Sequence, residues 1–135
     1  MLDTDVIVAA VRSARGASRG LLERIRAGRL VGLISVPLLL EYEAVLSRPE
    51  HMPDRGLSFA EVEAILDGLA EVMEHVVLHY LWRPLLRDGV DDMVLESAIN
   101  GRETAIVTFN LKDYGNWPLT FGIEVLTPAT CLRRL

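Results

Sequence analysis

The chain opens with Leu2-Asp3-Thr4-Asp5-Val6-Ile7-Val8-Ala9-Ala10, an apolar stretch interrupted by two acids. This pattern predicts a short buried strand that turns into a helix. In sheets of parallel strands, ligand sites form beyond the carboxyl ends of the strands, so acids at this point are candidates for a site. Asp3 and Asp5 are equally suited to cap the helix that follows. The stretch alone therefore leaves both roles open.

Strand and helix patterns alternate along the rest of the chain. Apolar runs predict strands at residues 31–35, 76–78, 105–108 and 123–126. Helices are predicted from Ser18 as N-cap to Gly28, from Pro37 to about Ser47, from a capping box at Ser58 to about Glu74, from Asp91 to about Asn100, and over a closing turn at 128–135. The alternation predicts an α/β domain over residues 1–135, with a mostly parallel sheet covered on both faces.

Length and composition favour one compact cytoplasmic domain. The chain has 135 residues, of which 50% are hydrophobic, enough for one core. No apolar run approaches the roughly 20 residues that a bilayer span needs, and the N-terminal region lacks the pattern of a secretory signal. The single cysteine, Cys131, excludes an internal disulfide and a thiol-based metal cage, which fits a reducing compartment.

Charge is segregated along the chain. The net charge of −5 argues against a general nucleic-acid binder, because such proteins present a basic face to phosphates. One segment is nevertheless basic, with a single acid, Glu23, among six arginines: Arg12, Arg15, Arg19, Arg24, Arg26 and Arg29. A solvated helix face has the same composition, so both interpretations stay open.

Further polar residues follow apolar runs or lie in predicted helices. Asn110 and Asp113 follow the 105–108 strand, and Asp92 lies at the start of a helix. Glu41 and Glu43 flank the apolar arc of the 37–47 helix, and periodicity does not choose between them. If such carboxylates converge, their mutual repulsion calls for a cation. An all-oxygen site suits Mg²⁺ or Mn²⁺, which favours phosphodiester hydrolysis.

Five segments in order resemble the signature segments of PIN domains, and together they span almost the entire chain. They are the opening stretch 2–10, Gly16-Ala17-Ser18, the block 34–49 beginning Ile34-Ser35-Val36-Pro37, Asp91-Asp92-Met93-Val94-Leu95-Glu96-Ser97-Ala98, and Val107-Thr108-Phe109-Asn110-Leu111-Lys112-Asp113-Tyr114. The likeness is closest to the branch described as toxin components of bacterial toxin–antitoxin systems.

This resemblance implies a fold, a reaction and a set of site residues. The implied fold is a three-layer α/β/α sandwich around a central, mostly parallel sheet, and the implied activity is hydrolysis of single-stranded RNA with Mg²⁺ or Mn²⁺. A cognate antitoxin and a homodimer are the implied partners. The implied metal ligands are Asp3, Glu41 and Asp92, with Asp5, Asn110 and Asp113 as further candidates and Thr108 and Ser18 as supporting polar residues. On charge alone, Arg15 and Arg19 are candidate phosphate contacts.

The chain departs from the family pattern at two positions. The family commonly has asparagine where this chain has Asp5, which adds charge beside Asp3. The family's fourth acid tends to lie where this chain has Asn110, leaving Asp113 as the nearest acid. The identity of the fourth ligand is therefore open. Only two residues precede Asp3, so we expect a very short first strand.

Two rival functions are weighed against the nuclease. Asp3-Thr4-Asp5 matches the Asp-x-Asp pair of haloacid-dehalogenase-like phosphatases, but these enzymes need a lysine before a late acidic pair. The only lysine, Lys112, follows Asp91 and Asp92, which disfavours that class. The second rival is a degenerate PIN fold that binds RNA or an antitoxin without cutting, and Asn110 keeps it open.

Overall fold

A computed structural model of the protein describes residues 1–48, 57–77, 94, 95, 97–99 and 105–135. Its helices are α1 (Thr4–Arg12), α2 (Ala17–Arg26), α3 (Val36–Leu46), α4 (Phe59–Val72), α5 (Trp117–Thr120) and α6 (Pro128–Arg133). Its strands are β1 (Leu33–Ile34), β2 (Glu74–His75), β3 (Ala105–Val107) and β4 (Glu124–Leu126), and a 3₁₀ helix spans Leu111–Tyr114. Residues 94, 95 and 97–99 are also helical. None of the helices in these ranges is long and apolar enough to cross a bilayer.

The described strands pair in parallel. β1 lies beside β2, with Leu33 opposite Glu74, and β3 lies beside β4, with Ala105 opposite Glu124. Leu2 adds an isolated parallel bridge to Val107, as expected for a very short first strand. Parallel strands connected through helices confirm the predicted α/β class. The bridge also sets Asp3 beside the carboxyl end of β3, because the Asp3 N–H donates to the Val107 carbonyl at 2.9 Å.

Two helices, α3 and α4, begin close to where the sequence predicts. Ser35 caps α3 by accepting a hydrogen bond from the Leu38 N–H, and Pro37 occupies the first turn. Ser58 and Glu61 form the predicted capping box of α4, each side chain accepting from the other residue's backbone N–H. The helix ends at Val72, two residues before the predicted end.

The predicted N-cap of α2 is wrong. Gly16 is the N-cap and the helix begins at Ala17, so Ser18 lies inside the first turn. Ser18 shares the buried face of α2 with Leu21 and Ile25, at the spacing of one helix face, which explains why its side chain is turned into the protein. The predicted end of the helix is confirmed, because Gly28 follows it with φ 76°.

The second predicted strand is also wrong in position and burial. The structure has Glu74 and His75 as β2, both exposed, instead of a buried strand at 76–78, and residue 78 lies outside the described ranges. Met73 is buried and extended directly after α4, so the chain enters the strand at once.

The core surrounds the start of α1. Val6 and Ile7 are fully buried there, as is Tyr42 of α3, whose hydroxyl donates a hydrogen bond to the Leu2 carbonyl. Ser35 and Ser97 share a buried hydrogen bond of 2.6 Å, which ties the start of α3 to the helical residues 97–99. Tyr42 therefore ties α3 to the residue just before the Asp3 cap of α1.

Candidate active site

Asp3 is both the N-cap of α1 and a buried carboxylate. Its side chain is 3% exposed, and Oδ1 accepts a 2.7 Å hydrogen bond from the Thr4 N–H. The sequence left capping and site roles as alternatives for this residue. The structure confirms the capping role, and the second oxygen, Oδ2, faces other elements.

Two hydroxyl groups hold Asp3 Oδ2. The Thr108 hydroxyl, just after β3, donates to it at 2.7 Å, and the Tyr114 hydroxyl at the end of the 3₁₀ helix donates at 3.0 Å. All three side chains are buried, so these bonds to an ionised acceptor are shielded from water. Asp3 is thus held in one orientation by residues more than 100 positions away in the chain.

Asp5 lies beside this cluster with its two oxygens in different surroundings. Oδ2 accepts from the Phe109 N–H at 3.0 Å and from Asn110 Nδ2 at 3.1 Å, and lies 3.3 Å from the Thr108 hydroxyl. Oδ1 is buried and has no hydrogen-bond partner in the described part of the chain. A buried acceptor without a donor is costly unless another group satisfies it.

The two carboxylates create a negative field. Burial and, next, the charge of Asp3 raise the pKa of Asp5 to about 6, even though hydrogen bonds from Phe109 and Thr108 act in the opposite direction. Burial also raises the pKa of Tyr42 above its usual value, with further contributions from the charges of Asp3 and Asp5. The field of the carboxylate pair therefore extends to α3.

The residues at this position fit a divalent cation of the Mg²⁺ or Mn²⁺ type. Both side chains offer hard oxygen donors, and the unpartnered Oδ1 of Asp5 supplies a free, buried lone pair. Among the residues the structure describes, however, no three His, Cys, Asp or Glu side chains lie close enough together to form a complete site. Asp92, the predicted third ligand, lies outside the described residues.

Glu41 and Glu43 have different surroundings, because α4 packs against only one flank of α3. The Glu43 side chain lies close to Glu63 of α4, where desolvation and the charges of Glu43 and Asp67 raise the pKa of Glu63. Glu43 therefore faces α4. Glu41 is partly buried on the opposite flank of Tyr42, and Tyr42 itself reaches Leu2. The described contacts do not bring Glu41 to the Asp3–Asp5 pair.

The structure places the remaining predicted site residues as follows. Asn110 and Asp113 are both exposed, and of the two only Asn110 has a described contact with Asp5. Ser18 is buried, and its hydroxyl has no partner among the described residues. Arg15 is exposed between α1 and α2, while Arg19 Nε donates to the Ala10 carbonyl at 2.8 Å and joins those two helices.

Tyr114 is the site residue that the sequence analysis did not assign. It directly follows Asp113, the candidate ligand in the last segment of the resemblance. The 3₁₀ helix turns Tyr114 into the core and leaves the preceding three residues exposed. In the sequence, the available signal was a tyrosine among polar neighbours, because a tyrosine that becomes buried usually finds a hydrogen-bond partner for its hydroxyl.

Comparison with known proteins identifies one family. A family model described as the PIN domain matches residues 1–112. That segment contains Asp3, Asp5, Thr108 and Asn110, and it ends before Tyr114. No curated protein and no solved structure matches the chain at a significant level.

Proposed function

The chain belongs to the PIN-domain family, and on that premise we propose that it is a metal-dependent endoribonuclease that cuts single-stranded RNA. The PIN domain is a nuclease fold. The observation that carries the proposal is the buried Oδ1 of Asp5, an acceptor without a described partner beside the buried carboxylate of Asp3. A cation at this point would satisfy the oxygen and offset the repulsion between the two acids.

We assign the metal ligands to oxygen-bearing side chains around Asp3. Asp3 and Asp5 are the central ligands in this proposal, with Glu41 and Asp92 as the further acids and the Asn110 side chain as a neutral ligand. The chemistry that such an ion supplies is polarisation of the phosphodiester and activation of water for in-line attack on phosphorus.

The hydroxyl and backbone groups around the acids position them for this task. The Asn110 N–H donates to the Thr108 oxygen at 3.1 Å, so the single hydroxyl hydrogen of Thr108 is free to point at Asp3 Oδ2, its closer acceptor. The Phe109 N–H fixes Asp5 Oδ2, which leaves Oδ1 as the oxygen that can bind a cation. Preorganised carboxylates need no rearrangement when substrate arrives.

Cleavage of a labelled single-stranded RNA tests this function. We expect cutting with Mn²⁺, no cutting with EDTA, and loss of cutting in Asp3→Asn and Asp92→Asn. Asp67→Asn is the matched control, because Asp67 is exposed on α4 and undergoes the same chemical change. Cutting that survives EDTA and Asp3→Asn would refute the proposal.

The alternative is a PIN-fold module that binds RNA or an antitoxin without cutting it. The observation favouring it is the Asn110 carboxamide beside Asp5, at the point where the family tends to have an acid. In that case folded wild-type protein would bind the RNA equally well with Mn²⁺ and with EDTA and would cut it in neither.

We further propose that the nuclease is the toxin of a toxin–antitoxin pair that acts in the cytoplasm as a homodimer, within a single three-layer α/β/α domain over residues 1–135. Exposed apolar side chains on α3 and α4, Leu40 and Val72 among them, are available for an interface. Expression of the chain should arrest growth, and co-expression of the small protein encoded beside it should restore growth. Unimpaired growth with active nuclease present would remove the toxin role alone.

A further inference from the structure

A pocket of about 380 Å³ opens beside the carboxylate pair and runs along α1. Its lining residues come from α1, from the end of α3 and from the segment after β3: Thr4, Asp5, Val8, Ala9, Arg12, Val45, Arg48 and Phe109. Residues 5, 8, 9 and 12 share one face of α1, so the pocket follows that face. Its volume is at the small end of the range for ligand pockets, roughly 300–1,000 Å³, which suits one nucleotide unit.

The pocket is negative at one end and positive at the other. Asp5 lies at the first end, while the exposed side chains of Arg12 and Arg48 lie at the second. Within the described ranges, neither guanidinium is paired with a carboxylate. The helical rise of about 1.5 Å per residue separates the backbones of Asp5 and Arg12 by about 10 Å. This separation allows the arginines to bind the phosphate that flanks the one beside Asp5.

Phe109 supplies an aromatic wall. Its backbone N–H is fixed on Asp5 Oδ2 at 3.0 Å, yet its side chain is 51% exposed. An exposed ring anchored this close to the carboxylates offers a surface on which a base can stack. Val8, Ala9 and Val45 provide the rest of the wall and carry no polar side-chain atom with which to read a base edge.

We propose that this pocket binds the nucleotide next to the scissile phosphate, with Arg12 and Arg48 on the flanking phosphate and Phe109 stacked on the base. The inference rests on the proposed nuclease function and deepens it by naming how the substrate is held. Stacking needs an unpaired base, so the pocket selects single-stranded RNA over a duplex. It tolerates any base, because every base has a face that stacks.

Binding of a short fluorescently labelled single-stranded RNA in EDTA, followed by anisotropy over a range of salt concentrations, tests the pocket without cleavage. We expect Arg12→Ala with Arg48→Ala to weaken binding and to reduce the slope of log affinity against log salt by about 0.7 for each lost phosphate contact. Phe109→Leu keeps the side chain apolar and removes the ring, and it should raise Kd by about fivefold or more at every salt concentration.

Matched controls lie outside the pocket. Arg29→Ala removes an exposed arginine and Phe59→Leu removes an aromatic ring that is 81% exposed, so both should leave Kd within about twofold of wild type. Arg15→Ala tests the exposed arginine that charge alone made a candidate phosphate contact. Equal losses in pocket and control variants would overturn the inference, as would wild-type protein that fails to bind.

Parallel cleavage assays separate this inference from the proposed function. If Mn²⁺-dependent cutting requires Asp3 while the pocket variants bind and cut like wild type, the pocket assignment is wrong and the nuclease stands. If no RNA is cut but the pocket variants lose affinity with the predicted salt dependence, the nuclease proposal fails and the pocket stands.

Discussion

Thr108 donates its hydroxyl hydrogen to Asp3 Oδ2 at 2.7 Å, and this buried bond joins the end of β3 to the start of α1. The same hydroxyl oxygen accepts from the Asn110 N–H. Thr108 therefore connects the loop that holds Asp5 to the carboxylate of Asp3. Thr108 therefore helps to orient both acids, together with Tyr114 at Asp3 and the Phe109 N–H at Asp5.

Replacing Thr108 by valine should impair both folding and metal binding. Valine keeps the shape but leaves Asp3 Oδ2 and the Asn110 N–H each short of a partner, at a cost of about 1–3 kcal/mol in the free energy of unfolding. The carboxylates of Asp3 and Asp5 would be held less firmly in place, which should lower Mn²⁺ affinity by about 10–100-fold. Urea unfolding and Mn²⁺ titration measure the two effects.

Thr108→Ser is the matched control, because serine keeps the hydroxyl and loses only a methyl group. Its unfolding free energy should fall by about 0.8 kcal/mol, with Mn²⁺ affinity close to wild type. A serine variant that binds Mn²⁺ as poorly as the valine variant would show that the methyl group, not the hydroxyl, positions Asp3.

Tyr114 and Tyr42 allow a comparison of two buried phenols. Tyr114→Phe removes a donor to a carboxylate, which should cost roughly 1.5–3 kcal/mol of unfolding free energy, whereas Tyr42→Phe removes a donor to the Leu2 carbonyl, worth roughly 0.5–1.5 kcal/mol. Because only Tyr114 contacts a proposed ligand, Mn²⁺ affinity should fall in Tyr114→Phe alone. Equal Mn²⁺ affinity in the two variants would reduce Tyr114 to a structural role.

Local signals in the sequence were sufficient for the starts of α3 and α4. Pro37 suits a first helical turn because it has no N–H to satisfy, and Ser58 and Glu61 satisfy backbone donors within four residues, so both signals act without knowledge of the fold. The prediction of Ser18 as N-cap was wrong because a serine near a glycine suits the cap position and the buried side of the first turn equally well. Tertiary burial decided that choice.

The site was predictable only in part, because its contacts are long-range. The resemblance supplied Asp3 and Thr108, but no local pattern states that residues 3, 108 and 114 meet. The choice between Glu41 and Glu43 likewise depends on α4, whose Glu63 engages Glu43. Periodicity describes one helix at a time and contains no information about its neighbour.

Asp5 should make the metal-free protein's stability depend on pH in a particular direction. Its pKa is raised from 3.8 to about 6 in the folded state, so folding favours the protonated carboxyl. The resulting stabilisation is fully present below pH 4 and is lost as pH rises through about 6. Urea unfolding in EDTA across this range, for wild type and Asp5→Asn, isolates the contribution.

Asparagine does not titrate, so the wild type should gain stability relative to Asp5→Asn as the pH falls through this window. Added Mg²⁺ should stabilise the wild type more at pH 7 than at pH 5, because protons compete for the carboxylate. Parallel pH profiles for the two proteins would contradict the assignment.

The two glutamates of α3 should differ in function. Glu43 faces Glu63 of α4, so Glu43→Gln should leave Mn²⁺-dependent RNA cutting near wild type and lower the pKa of Glu63 by removing a negative neighbour. Glu41→Gln should reduce cutting by about 10-fold or more if Glu41 is the second ligand. Cleavage rates of the paired variants decide the matter, and a greater loss in Glu43→Gln would reverse the assignment.

Asn110 and Asp113 allow the identity of the fourth ligand to be tested directly. Asn110 Nδ2 lies 3.1 Å from Asp5 Oδ2, whereas Asp113 has no described contact with either acid. Asn110→Asp places a third negative charge beside Asp3 and Asp5. It should destabilise the metal-free protein, because the added carboxylate is repelled by its neighbours. It should also tighten Mn²⁺ binding, because the same carboxylate attracts the cation. Asp113→Asn removes a charge of the same kind from the exposed side of the turn and should change neither quantity.

Calorimetric Mn²⁺ titration of the two variants, with unfolding in EDTA alongside, gives both readouts. Weaker Mn²⁺ binding in Asp113→Asn, with no gain in Asn110→Asp, would transfer the fourth position to Asp113 and require the turn to rearrange when metal binds.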